Sequence, residues 1–371
     1  MNKKKINIII AAADAVLALA LGTALVYASA KIDEVSLQGA ADSWAADSAL
    51  PYSVSSLYTS KNAAYSIGEV YQLRAQILDK AEEQLTDTED GYYADCWYGF
   101  GNMSLTGSKS SADVKACYVG GDYFDIHNAE VISGSVFKGD NANIDTIVLD
   151  ENASWKLFGA LDTEGMTVTA NNMTFYVSAV IRAPSDKEKV LKKAYEDDGQ
   201  EPMVYIPYEA ADVIYGEEQR FTAYDIMLPN NYDGFASDEL RSAAGCSEGD
   251  TAELAVTDSS LRFGIKEIRE KADNIGSMMD SGNNIVFPFW EDAARTVMLE
   301  LCILYKAFLI PFILLMISVC YWLFRLVGLI AYIIRRIYRF FDDKAEKKKL
   351  ENYYKTHPMI IIKPENEGES K

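Results

Sequence analysis

Few side chains in this 371-residue sequence could do nucleophilic, proton-transfer or metal chemistry: two histidines, His127 and His357, and five cysteines. A Ser-His-Asp or Cys-His site needs an imidazole to take and return a proton, and His357 lies in the C-terminal tail, so such a site would have to use His127. His127 follows the aromatic pair Tyr123-Phe124, which reads as a packing or surface histidine rather than a base. Neither H-E-x-x-H nor C-x-x-C occurs, so no zinc site is expected. The acidic runs from Asp87 to Asp95 and from Glu196 to Glu201 have enough carboxylates to hold Ca²⁺ loosely. Both lack the D-x-[DN]-x-[DN]-G loop and read as solvated. Asn102, Asn152 and Asn172 open glycosylation sequons that matter only in a eukaryotic secretory host. No Walker motif is present, so any ATP hydrolysis must belong to a partner. No catalytic, cofactor-binding or metal residue is therefore assigned, and no enzyme is expected.

The cysteines divide into two groups. Cys302 and Cys320 lie in a C-terminal apolar run, where they read as small hydrophobic residues. Of Cys96, Cys117 and Cys246, the pair Cys96 and Cys117 is the natural disulfide if their two strands are neighbours.

The elements that would position these residues are set out by hydropathy and charge. Ile6 to Tyr27 is almost unbroken Ile, Ala, Leu and Val behind Lys3, Lys4 and Lys5, and about 22 residues at ~1.5 Å each reach across a ~30 Å hydrocarbon layer. Ala28-Ser29-Ala30 also fits a signal-peptidase site, but the apolar stretch exceeds an ordinary signal-peptide core, which favours an uncleaved anchor. Either way residue 31 lies outside. Asp14, inside this segment, reads as a contact to another helix or as a residue near the headgroups.

The second apolar run starts at Leu301, and one crossing near Leu301 to Phe324 suits it, with Lys306 snorkelling and Tyr321, Trp322 and Arg325 at the far interface. Leu326 to Phe341 mixes apolar residues with Arg335, Arg336 and Arg339, as in a basic helix lying on an anionic leaflet. Arg325, Arg335 and Arg336 join Asp14 as candidate helix or partner contacts. The basic clusters at both ends put both termini in the cytoplasm.

Residues 31 to 298 carry 20 of the 35 basic and 46 of the 55 acidic side chains, a charge of -26. That field repels phosphate and anionic lipid, which argues against a nucleic-acid partner.

The expected organisation is a cytoplasmic N-terminus (1–5), a transmembrane helix (6–28), an extracytoplasmic domain (29–298), a second span (299–324) and a basic amphipathic helix with a tail (325–371). Within the domain, residues 31 to 50 suit a helical exit from the membrane, and Gly68 to Leu85 places apolar residues at helical steps. Cys117 to Val119, Thr146 to Leu149, Met166 to Val168, Phe175 to Ile181 and Val204 to Ile206 have strand composition. Ala153 to Phe158 reads as a short helix closed by Gly159, and Asn171-Asn172 as a two-residue hairpin turn. Residues 184 to 201 read as a charged helix or loop. This mixed order predicts an α+β domain.

One ordered set of residues carries a family resemblance. It runs Asp122-Tyr123-Phe124-Asp125-Ile126, Gly134, Phe137, Ile147 to Glu151, Ala153, Lys156-Leu157-Phe158-Gly159, Asp162, Gly165 to Val168, Tyr176-Val177, Ala179-Val180 and Val204-Tyr205-Ile206-Pro207. In order and spacing this stretch resembles the periplasmic core domain of MacB-like ABC transporter permeases, within the FtsX-like permease group. The resemblance implies an α+β outer domain behind a first transmembrane helix, an ABC-type ATPase or full permease as partner, a homodimer as one assembly, and a bacterial inner-membrane location. Tyr123 and Phe124 would be core aromatics, Gly134 a turn, and Leu157-Phe158 a buried helix face. Ala179 stands where the family has Gly, and one C-terminal span stands where the family has three. The leading expectation is a non-enzymatic permease-like subunit whose outer domain couples to transport or signalling. The alternative is an anchored module that binds a cationic peptide or envelope component.

Overall fold

The chain is described by a computed structural model covering residues 3–33, 51–84, 93–138, 143–183, 202–229, 232–246, 250–259, 262–276 and 284–356, with Val35 and Ala41. It divides into two compact units: Met1–Thr23 with Phe308–Lys371, and Ala24–Ala307. Residues 184 to 201 and 42 to 50, for which a charged helix or loop and a helical exit are expected, lie outside the described residues, as do the acidic runs except Tyr93 to Asp95.

The unit Ala24–Ala307 is built on a ten-stranded mixed sheet. Its strands are β1 (Tyr52–Thr59), β2 (Ala94–Thr106), β3 (Ser111–Gly121), β4 (Val131–Gly134), β5 (Thr146–Asp150), β6 (Thr167–Ala170), β7 (Met173–Ile181), β8 (Met203–Pro207), β9 (Ala223–Pro229) and β10 (Leu254–Asp258). The order is β10-β1-β9-β2-β3-β8-β5-β7-β4, with β6 pairing β2 and β7. Two pairs, β3 with β8 and β5 with β7, are parallel and the others antiparallel. This is the α+β class that the strand and helix signals predict.

Local chemistry explains the boundaries. Asn171 and Asn172 both take positive φ, 45° and 67°, the left-handed pair that a two-residue hairpin between β6 and β7 requires and Asn tolerates. Helix α2 (Ile67–Gln84) starts with a capping box: the Ser66 N–H donates to Glu69 at 2.7 Å and the Glu69 N–H donates to Ser66 Oγ at 3.4 Å. After the four-residue helix α3 (Tyr123–Ile126) comes α4 (Glu151–Phe158), capped by Asp150, which accepts from the Ala153 N–H at 2.6 Å, and closed by left-handed Gly159.

Strand alternation sends side chains to two cores. On one face Trp97, Tyr224, Ile226 and Leu57 pack under Val70, Leu73 and Ile77 of α2, Leu157 of α4, Ala210, Ala211 and Ile214 of α5 (Tyr208–Tyr215), and Phe235 and Leu240 of α6 (Phe235–Ala243). On the other face Cys96, Tyr98, Val119, Met227 and Tyr58 meet Tyr123, Phe124 and Ile126 of α3. Trp290 joins that second core from the start of α8 (Phe289–Thr356), the helix that follows α7 (Ile265–Asp273). All eight residues of β1 are buried, serines included: β1 lies between β9 and β10, and its side chains enter the cores on both faces of the sheet.

Among the described residues, two helices are long and apolar enough to cross a membrane: α1 (Lys3–Asp33) and α8. Apart from Leu301 and Cys302, no residue of either apolar stretch is buried in the protein; Phe324 is 79% exposed and Leu19 72%. Ala28, Ser29 and Ala30 continue α1 as helix. Leu326 to Phe341 does not form a separate helix, because α8 runs unbroken from Phe289 past Arg325 to Thr356.

Candidate functional site

The second core holds a cluster of chemically able side chains drawn from three elements. Cys96 of β2 lies directly opposite Asp225 of β9 in the antiparallel ladder, and its Sγ is 3.9 Å from Asp225 Oδ2. His127, the residue that ends α3, brings Nε2 to 3.0 Å from the same carboxylate oxygen. The sulfur, imidazole and carboxylate atoms all lie within 4.8 Å of one another.

Burial is close to complete. Cys96 has no exposed surface, the Asp225 side chain is 1% exposed and that of His127 9%. The imidazole stacks on Tyr123, ring centroids 4.2 Å apart, and meets Tyr98 and Trp290 edge-on at 5.4 and 5.3 Å. Removal from water, with the Asp225 charge beside it, pushes the Cys96 thiol well above its ordinary value. His127 is thus the packing histidine of the sequence reading, but one placed against a buried carboxylate.

Hydrogen bonding in this cluster is incomplete. His127 Nε2 is close to Asp225 but not aligned for a hydrogen bond, and neither it nor Asp225 Oδ1 has a hydrogen-bond partner; the same holds for the Tyr98 hydroxyl. The opposite face holds a second buried acid, Asp95, whose Oδ1 also has no hydrogen-bond partner. Asp95 accepts from Tyr93 at 2.8 Å and from Tyr224 at 2.6 Å, and pairs with Arg74 at 3.2 Å.

The expected disulfide does not form. β2 and β3 are neighbours, but Cys96 pairs with Gly121 and Cys117 with Phe100, so the two cysteines are four rungs out of register. Four rungs are about 13 Å, beyond the ~7 Å a disulfide spans. Both are free thiols, as are Cys246, Cys302 and Cys320.

The motif residues sit at structural positions. Tyr123 and Phe124 are buried, Leu157 fully so and Phe158 partly. Gly134 takes φ +76°, and a Cβ there would run into the Ser178 carbonyl. Gly159 and Gly165 take φ +73° and +77°, and Pro207 ends β8 and precedes α5. Buried Ala179 pairs with Gly134 across β7 and β4.

A second polar cluster anchors the first turn of α8. Glu291, 1% exposed, accepts from both sides: Arg262 Nη2 lies 2.6 Å from each of its oxygens and Arg295 Nε donates at 2.7 Å. The Arg295 guanidinium also sits 3.6 Å over the Phe287 ring.

In the unit formed by Met1–Thr23 and Phe308–Lys371, Asp14 is a helix-to-helix contact. Ser318 Oγ and Trp322 Nε1 donate to its carboxylate at 2.7 and 2.8 Å, and the Tyr321 hydroxyl donates to Asn7 at 3.1 Å. Arg325, Arg335 and Arg336 are exposed along α8.

No protein-family model matches the chain, and no curated protein matches it. Among solved structures, those it is similar to include outer domains of ABC-type transporters and permeases. One is the periplasmic region of MacB from Actinobacillus actinomycetemcomitans, at 14% identity and TM-score 0.39, covering 56% of this chain and 89% of that one. Another is the extracellular domain of the ABC-type transporter YknZ from Gram-positive bacteria, at 13% identity and TM-score 0.39, covering 55% and 99%. A permease-protein domain from Porphyromonas gingivalis follows at 11% identity and TM-score 0.31, covering 56% and 88%. These are domains of the kind that residues 122 to 208 resemble.

Proposed function

We infer that this chain is a non-enzymatic membrane subunit of the MacB-like permease type, with both termini cytoplasmic and its α+β domain outside the bacterial inner membrane. The outer domain couples to transport or signalling, and the ATPase is a separate ABC-type partner, met directly or through a full permease or a homodimer. The observation that carries this reading is α8: one helix begins with Trp290 in the domain core and Glu291 in its ion cluster, and continues through an apolar segment to Thr356. Such a helix gives movement of the domain a covalent route toward the cytoplasmic side. The ordered motif of residues 122 to 208 and the basic clusters at both ends support the same reading.

The test is to purify the full-length protein from its native membrane in mild detergent and identify what accompanies it by mass spectrometry. A stoichiometric ATP-binding subunit is expected. A protein that purifies alone, while its domain retains affinity for a cationic envelope peptide, would replace the transport reading with an anchored binding module.

A further inference from the structure

We propose that Cys96, His127 and Asp225 form a transition-metal site, of the class that takes Zn²⁺, inside the outer domain. The three donors come from three separate elements, with a thiol, an imidazole nitrogen and a carboxylate oxygen facing one point from β2, the end of α3 and β9. Bonds of ~2.0–2.3 Å at tetrahedral angles set ligand atoms roughly 3.3–3.8 Å apart. The observed separations bracket that range: 3.0 Å between His127 and Asp225, 3.9 Å between Cys96 and Asp225, and none above 4.8 Å. Side-chain adjustments of about an ångström bring the three donors to those separations.

The independent observation is the unmet hydrogen bonding. His127 Nε2 and Asp225 Oδ1 are donor atoms for a metal, are at least nine-tenths buried, and have no hydrogen-bond partner. The charge also closes: thiolate, carboxylate and neutral imidazole balance a divalent ion, so the occupied site is neutral in an apolar interior. Tyr123, Tyr98 and Trp290 form the dry shell that such sites use to hold ligands in place. Tyr98, two residues along β2 from Cys96 and on the same face, packs its ring against His127 and has a buried hydroxyl without a hydrogen-bond partner. A mixed sulfur, nitrogen and oxygen set suits Zn²⁺ or Co²⁺ and disfavours the hard cations Mg²⁺ and Ca²⁺.

The experiment uses full-length protein in detergent, stripped with a chelator and titrated with Co²⁺ as the spectroscopic stand-in for Zn²⁺. Expected are one equivalent bound, a thiolate-to-cobalt charge-transfer band in the near ultraviolet and intense visible bands of four-coordinate cobalt. Cys96→Ser removes the charge-transfer band, whereas Cys117→Ser, at a buried thiol outside the cluster, leaves it. His127→Gln weakens cobalt binding at least tenfold. Zn²⁺ at a hundredfold excess over its Kd raises the unfolding midpoint of the unsubstituted protein by about 5–10 °C. A wild-type protein with no charge-transfer band and no midpoint shift overturns the proposal, as does a band that survives Cys96→Ser. The wild-type titration decides the matter even if a variant fails to fold.

Discussion

Glu291 offers the sharpest energetic test of how α8 is fastened to the outer domain. Its carboxylate is 1% exposed and holds two guanidinium groups, with Arg262 itself 8% exposed. Replacing Glu291 with Gln leaves Arg262 buried without its counter-charge, and removing one partner of a buried pair costs about 3–5 kcal/mol. For a domain of this size each kcal/mol moves the midpoint by roughly 2–4 °C, so Glu291→Gln should melt about 10 °C lower. The double variant Arg262→Met, Glu291→Leu removes both charges and places apolar groups in the space; it should return to within about 1 kcal/mol of the wild type. The assay is thermal unfolding of full-length protein in detergent, followed by far-ultraviolet circular dichroism and by tryptophan fluorescence, with buried Trp290 next to the substituted residue. A Glu291→Gln cost below about 1 kcal/mol, or no recovery in the double variant, would refute the claim that this cluster anchors the helix.

Two further outcomes follow from the same kind of reasoning. Asp14→Ala removes the acceptor for Ser318 and Trp322, and at the modest worth of hydrogen bonds between membrane helices should weaken α1–α8 pairing by about 1–2 kcal/mol, while Asp14→Asn retains most of it; unfolding by SDS titration reads the difference. Ser66→Ala breaks the capping box of α2 and should cost about 1 kcal/mol in denaturant unfolding at neutral pH. It should also change the acid limb, because the Ser66 N–H and hydroxyl hold the Glu69 carboxyl below its ordinary value. A depressed folded value means this contribution is present above the unfolded value and is lost as the pH falls through the folded one, so the stability gap between wild type and Ser66→Ala should narrow on acidification.

Much of the fold is written in local signals. The Asn171-Asn172 turn, the Asp150 cap and Gly159 stop of α4, and the apolar spacing of α2 depend only on neighbouring residues, and each is where its chemistry predicts. What local reading misses is long-range pairing. β1 has four serines or threonines among its eight residues, and they are buried because β1 is an interior strand of a sheet with a core on each face. Cys96 and Asp225 stand 129 residues apart, and no spacing rule announces that one faces the other across a ladder. The disulfide expectation failed for the same reason: it was conditional on the two strands being neighbours, which they are, but the four-rung offset between the cysteines is set by long-range register. A weaker signal for the cluster did exist. An acid within an otherwise apolar strand is unfavourable, and both Asp95 and Asp225 stand in such strands. Each therefore needed a partner, and His127, set beside the motif aromatics, was the candidate for one of them.

The long helix decides between two pictures of the C-terminal third. At ~1.5 Å per residue, Leu301 to Phe324 spans about 36 Å, enough for the hydrocarbon layer, and the residues from Arg325 to Thr356 add roughly 48 Å more. A helix lying on the leaflet would need a break near Arg325, where the chain would turn from the membrane normal to its plane. No break is present there: α8 keeps its backbone bonding through Arg325, Arg335 and Arg336, and the residue inside it that cannot donate a backbone hydrogen bond is Pro311. The arginines therefore lie, exposed, along the same continuous helix as the apolar segment rather than on a second helix turned into the plane of the leaflet.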